Sequence, residues 1–95
     1  MIEASALFRV LGDPARLRLL RALSVDRFNV TELTGILGLA QSGVSRHLGL
    51  LKDAGLVHED RDGIYVYYHL ARANGTDSPL WQLLDGEFTR AAAIP

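Results

Sequence analysis

A chain of 95 residues, 48% hydrophobic and with a formal net charge of −1, is bounded to one domain whose buried fraction is limited, so a dimer interface would add to its stability. The absence of cysteine excludes disulfides and thiolate metal sites and makes a reducing cytoplasm the expected compartment; Met1-Ile-Glu-Ala does not resemble a leader, and no apolar run approaches a membrane span. Nucleic-acid binders are often basic, but here the charge is divided: residues 1–23 carry Arg9, Arg16, Arg18 and Arg21 against Glu3 and Asp13, while residues 73–95 carry Asp77, Asp85 and Glu87 against Arg90, and phosphate binding depends on local charge.

Residues 2–11 are expected to form a helix, with Ala6 and Val10, and Leu7 and Leu11, four apart. Gly12-Asp13-Pro14 reads as a stop and a new start, Asp13 being a good N-cap and Pro14 suiting the first helical position. The second helix runs to about Leu23 and buries Leu17, Leu19, Leu20 and Leu23. Its arginines make a solvated face with an incidental role in steering DNA. Ser24 to Asn29 reads as a connecting loop. A short helix begins at Thr31 and turns Leu33, Ile36 and Leu37 inward. Gly38 suits a left-handed terminal position, and Leu39 plugs the turn. The next helix runs from about Gln41 to Ala54 with Val44, Leu48 and Leu51 as its buried stripe, and Gly55 ends it.

Residues 56–60 and 64–70 alternate as strands, joined by Asp62-Gly63, a pair that fits a type I′ turn. Val66, Tyr68 and Leu70 share one face of the hairpin; Tyr65, Tyr67 and His69 share the other. The tyrosines are ordinary strand formers, so hairpin packing rather than base stacking is expected of them. Residues 71–77 form a polar loop. Ser78-Pro79 opens a last helix that places Trp81, Leu84 and Phe88 at i, i+3 and i+7. That stripe suits either the protomer's own core or an interface, and on so small a domain the interface is the expected use. Gly86 weakens this helix by about 1 kcal/mol relative to Ala.

A short helix, a glycine-marked turn and a second helix with a polar outer face form the arrangement that lies in the DNA major groove. The hairpin stands where a wing would be. The predicted class is therefore mainly α with a small β-hairpin wing, a winged helix-turn-helix of five helices that spans residues 1–95.

Four segments, in this order and spacing, make the chain resemble the ArsR/SmtB family of winged-helix repressors: Leu11-Gly-Asp-Pro-Ala-Arg-Leu-Arg-Leu-Leu20, Gln41-Ser-Gly-Val-Ser-Arg-His-Leu48, Leu51-Lys-Asp-Ala-Gly-Leu-Val57 and Val66-Tyr-Tyr-His-Leu70. The resemblance implies a homodimer built by helices 2–11 and 79–91, with Leu7, Val10, Leu11, Trp81, Leu84 and Phe88 at the interface. It also implies recognition helices in successive major grooves of an inverted-repeat operator in double-stranded DNA. By position, Gln41, Ser42, Ser45 and Arg46 should face DNA. Gln and Ser bond base edges or phosphates, and Arg pairs two-pronged with guanine. His47 is expected at a phosphate, Lys52 near the backbone at the helix's far end, and Arg61, at the hairpin tip, near phosphate or the minor groove. Tyr65 would pack under the wing.

The chain departs from the family at three places. Ala40 stands where a capping Ser is usual, leaving the cap to Ser42 if to anything. Gly43 and Gly49 are poor helix formers, and Gly49 replaces a common basic residue. Modest affinity follows. The family's metal sites are not expected: the thiolate site needs Cys, no His lies beyond His69, and His58 with His69 on one hairpin face lack a third ligand. No cofactor is called for. Catalysis has no foothold either, since Ser45 and His47 point in different directions on their helix.

A second resemblance is carried by Ala71-Arg-Ala-Asn-Gly75 and Pro79-Leu-Trp-Gln-Leu-Leu-Asp-Gly-Glu-Phe88, which look like the end of the regulator module fused to S-adenosylmethionine-dependent methyltransferases. Such a protein would pass into a linker near Ala93-Ile-Pro95. The expected function is thus a homodimeric repressor whose inducer is undefined. The alternatives are a methyltransferase's regulatory domain or a winged helix used for protein contact. The sequence pI of 6.3 and the two helix glycines favour the last of these slightly.

Overall fold

The computed structural model describes residues 3–72 and 78–93. The expected helix start at Ile2 and most of the polar loop at 71–77 lie outside the described residues. Those described form α1 (Ala4–Leu11), α2 (Pro14–Leu23), β1 (Phe28–Asn29), α3 (Val30–Leu37), α4 (Gln41–Asp53), β2 (Val57–Asp62), β3 (Tyr65–Leu70) and α5 (Pro79–Ala93). The fold is a mainly helical winged helix-turn-helix: five helices and one small antiparallel sheet.

The helix ends follow local chemistry. Asp13 Oδ1 accepts from the Ala15 amide at 2.8 Å and opens α2 ahead of Pro14. Gly38 takes φ 68°, the left-handed conformation that ends α3 and begins the turn. Gly55, at φ 78°, does the same after α4. The start of α3 lies one residue earlier than expected because Asn29 and Glu32 form a reciprocal capping box: Asn29 Oδ1 accepts from the Glu32 amide at 2.8 Å, and Glu32 Oε1 accepts from the Asn29 amide at 3.0 Å.

The expected loop from Ser24 to Asn29 contains strand β1. Phe28 and Asn29 pair with Tyr68 and Tyr67, giving the sheet order β1-β3-β2. Two residues are too few to show a period, and this strand exists because β3 offers it an edge. The hairpin turn also differs. Asp62 pairs with Tyr65, so the two linking residues are Gly63 and Ile64, one position later than expected. Gly63 has φ 63°, and among the described residues none but glycine has positive φ. Ile64 therefore cannot supply the second positive φ of a type I′ turn, and the pattern is that of type II′, with glycine first. The strand faces are as expected: Tyr68 and Leu70 pack on the core, while Tyr65 and Tyr67 lie on the other side with ring centroids 6.2 Å apart.

The core joins Leu19, Leu20 and Leu23 of α2, Leu33 and Leu37 of α3, Val44, Leu48 and Leu51 of α4, Leu56 and Val57, and Trp81, Leu84 and Phe88 of α5. Ile36 is an exception to the expected α3 stripe and is half exposed. The α5 stripe faces the protomer's own core, with Trp81 7%, Leu84 3% and Phe88 8% exposed. These three residues are therefore buried within the protomer itself. A stripe at i, i+3 and i+7 looks the same in either role. Arg72 fixes α5 further, pairing with both carboxylate oxygens of Asp85 at 2.8 Å and stacking over Trp81 at 5.0 Å. The large apolar side chains that the terminal helices do expose are Phe8 and Leu83, each 66% exposed. Leu7, Val10 and Leu11 are half-buried against the core.

Candidate nucleic-acid interface

The fourth helix is divided along its length. Val44, His47, Leu48 and Leu51 are buried, the spacing of an amphipathic helix seated on a core. Gln41, Ser42, Ser45, Arg46 and Gly49 are on the exposed side or its margin. The structure thus brings four of the predicted contact residues onto one outward surface. Arg46 has no ion-pair partner among the described residues, so its guanidinium fork stays available.

His47 is not on that surface. It is 7% exposed, and its Nδ1 lies 3.2 Å from Arg16 Nη1. The expected phosphate contact is corrected by helical geometry: position 47 is three beyond Val44 and four before Leu51, within the buried stripe. Arg16, expected on a solvated face, is the partner. Its side chain is 12% exposed. Its Nε donates to Val10 O at 2.6 Å and its Nη2 to Arg9 O at 3.3 Å. Arg18 likewise donates to Leu37 O at 3.2 Å. Two α2 arginines therefore cover carbonyls at the ends of α1 and α3, groups that the helices leave unpaired.

No side chain caps α4: Ala40 offers none, and Ser42 does not take the role. At the helix's other end Lys52 Nζ is held by Glu59 Oε1 of β2, and this carboxylate beside it raises the ammonium pKa. Lys52 is thus engaged by the hairpin rather than freely projecting.

The hairpin carries three acids, two paired with cations and one beside a histidine. Glu59 takes Lys52, Asp60 lies 3.7 Å from His69 Nε2, and Asp62 accepts from Arg27 at 3.0 Å. Arg27 also lies 4.2 Å over the Tyr67 ring, and its bond to Asp62 raises its pKa. Sequence reasoning missed Arg27, because nothing local links it to a residue 35 positions away. Arg61 is exposed and unpaired among the described residues, two positions before Gly63. Ile64, 87% exposed, and half-exposed Tyr65 occupy the tip with it; the Tyr65 ring lies tilted beside that of Tyr67. His58 and His69 are directly opposite in register, ring centroids 5.6 Å apart. Among the described residues no three His, Asp or Glu side chains converge to hold a metal ion, and no helix is long and apolar enough to cross a membrane.

Comparison with known proteins agrees with this geometry. A family model described as bacterial regulatory protein, arsR family, matches residues 13–59. The biofilm growth-associated repressor of Agrobacterium fabrum is 38% identical over 69 residues, which take in 73% of this chain and 59% of that protein; the chain thus spans less than two thirds of that relative's length. The crystal structure of the transcriptional repressor BigR from Xylella fastidiosa is similar at a TM-score of 0.76 with 31% identity, covering 95% of this chain and 83% of that one. A homodimeric winged helix-turn-helix DNA-binding domain from Mycobacterium bovis shares the fold at a TM-score of 0.70 and 22% identity, covering 95% of this chain and 75% of that one. Matched in motif, helix order and wing over most of its length, the chain belongs to the ArsR family of bacterial regulatory proteins.

Proposed function

We propose that this chain acts in the cytoplasm as a homodimeric transcriptional repressor, without enzymatic activity, reading an inverted-repeat operator with α4. The observation that carries this reading is the division of α4 into a buried apolar side and an outward polar side bearing Gln41, Ser42, Ser45 and Arg46. A 13-residue helix is about 20 Å long and fits the major groove. Arg46 is the base-reading residue, suited to bidentate pairing with guanine. The uncapped amides at the start of α4 suit a backbone phosphate, and Arg61 reaches the flanking backbone from the hairpin. Lys52 joins them where a phosphate competes with Glu59. Homodimerisation is supported by the homodimeric Mycobacterium bovis domain that shares this fold and by the exposed Phe8 and Leu83 on α1 and α5.

Fluorescence anisotropy on duplexes from the gene's own upstream region, with a scrambled control, tests the reading. Arg46→Ala is expected to weaken selective binding by about 1–3 kcal/mol and to leave binding to the scrambled duplex less affected. Equal affinity of wild type and variant for the operator would remove Arg46 from the reading face.

A further inference from the structure

The Arg16 guanidinium sits where α1, α2 and α4 meet. Three of its nitrogens are used: Nε on Val10 O, Nη2 on Arg9 O and Nη1 toward His47 Nδ1, with Asp13 Oδ2 3.7 Å from Nη1. The first two contacts fix it to the C-terminal turn of α1; the third fixes it to the recognition helix. Arginine has no acceptor atom. A hydrogen bond across the 3.2 Å contact therefore has Arg16 Nη1 donating and His47 Nδ1 accepting. His47 is flanked by Val44, Leu48 and Leu51, all at 0% exposure. Apolar neighbours resist compression but carry no direction, whereas a hydrogen bond fixes both distance and angle.

We propose that Arg16 is a positioning residue that sets the orientation of α4 relative to α1 through His47, and thereby the spacing at which two copies read DNA. The inference rests on the operator-reading function proposed above. Turning one end of α4 by a small angle moves its exposed side chains by distances comparable to a hydrogen bond, and half-site spacing is a geometric property of the dimer. On this arrangement His47 contributes to DNA recognition from inside the protein, without touching DNA.

His47→Leu is the informative variant, because it removes the acceptor and leaves both bonds from Arg16 to α1 in place. His47→Gln is its conservative counterpart, since the amide oxygen can accept from the same guanidinium nitrogen. Affinity is measured by anisotropy on the operator and on versions with the half-sites moved one base pair closer or farther. Thermal unfolding and sedimentation are measured alongside. Wild type is expected to prefer one spacing. His47→Leu should lose about tenfold on that spacing, as expected for loss of one hydrogen bond to a charged group, and should discriminate less among spacings. His47→Gln should restore the preference, and the double variant Arg16→Met/His47→Leu should bind the preferred spacing no worse than the weaker single variant. Selective wild-type binding together with an unaltered spacing profile in His47→Leu would overturn the proposal and leave the operator-reading function standing. A loss in His47→Leu that is uniform over all spacings, tracks its melting temperature and is not rescued by Gln would also overturn it, making the contact merely structural. Absence of selective binding by wild type would overturn the underlying function, and the proposal with it.

Discussion

Individual side chains in this protein are sorted by the helical period more than by their chemical type. Arg16 and Arg46 are both arginines in helices, yet one is 12% exposed and engaged while the other is exposed and, among the described residues, unpaired. The roles proposed for them diverge accordingly, into holding the scaffold and reading DNA. Gly49 illustrates the opposite case, a residue whose absent side chain matters. A Cβ added there meets nothing within 4 Å, and the position lies inside α4. Gly49→Ala is therefore expected to stabilise the protein by about 0.5–1 kcal/mol, through the backbone freedom removed from the unfolded chain. Urea denaturation monitored by circular dichroism measures this, and a lower midpoint for the variant would show that the glycine meets a need of its own. The sequence marked Gly49 as a weak point of the helix; that the surrounding space is open is a fact of the fold.

At the level of elements, the N-cap of α2 and the middle of α5 each carry a titratable carboxylate with a shifted pKa. The Asp13 carboxylate sits below its ordinary value of 3.8 chiefly because the Ala15 amide donates to it, and Arg16 adds to the effect. The Asp85 carboxylate is lowered chiefly by its paired bonds to Arg72. A carboxylate with a depressed folded-state pKa contributes stability that is complete above its unfolded pKa and lost as pH falls through the folded one. Melting temperature is thus expected to hold near neutrality and decline from about pH 5 downward. Asp85→Asn should flatten that decline; Asp13→Asn should flatten it while keeping the cap, since Asn caps helices about as well as Asp. Acid limbs identical to wild type in both variants would place the sensitivity elsewhere. Most of these elements were legible. Asp13-Pro14, Gly38 and Gly55 announce their helix boundaries by conformational preference alone. β1 and the Gly63-Ile64 turn were not legible, because the first depends on an edge formed 38 residues later and the second on strand register.

For the whole molecule, the decisive distinction is between the two apolar edges of α5. Leu84 is 3% exposed and belongs to the protomer core, whereas its neighbour Leu83 is 66% exposed. Sedimentation equilibrium and thermal melting together separate their roles. Leu83→Glu is expected to yield a folded monomer, and Leu84→Ala to lose about 2–5 kcal/mol of stability through the cavity it leaves. A Leu83→Glu protein that still dimerises would put the interface elsewhere. The sequence by itself determined the order of the helices, the helix-turn-helix with its wing, the buried stripe of α4 and the outward placement of Gln41, Ser42, Ser45 and Arg46. Each of these follows from a period of 2 or 3.6, or from a residue with a strong conformational preference. Only the tertiary structure decided that Trp81, Leu84 and Phe88 are buried within the protomer, that Lys52 is held by Glu59, and that His47, on the buried side of α4, meets Arg16. Period and propensity act within a few residues along the chain; which surface an apolar stripe covers, and which partner a charge finds, depend on elements brought together from distant parts of it.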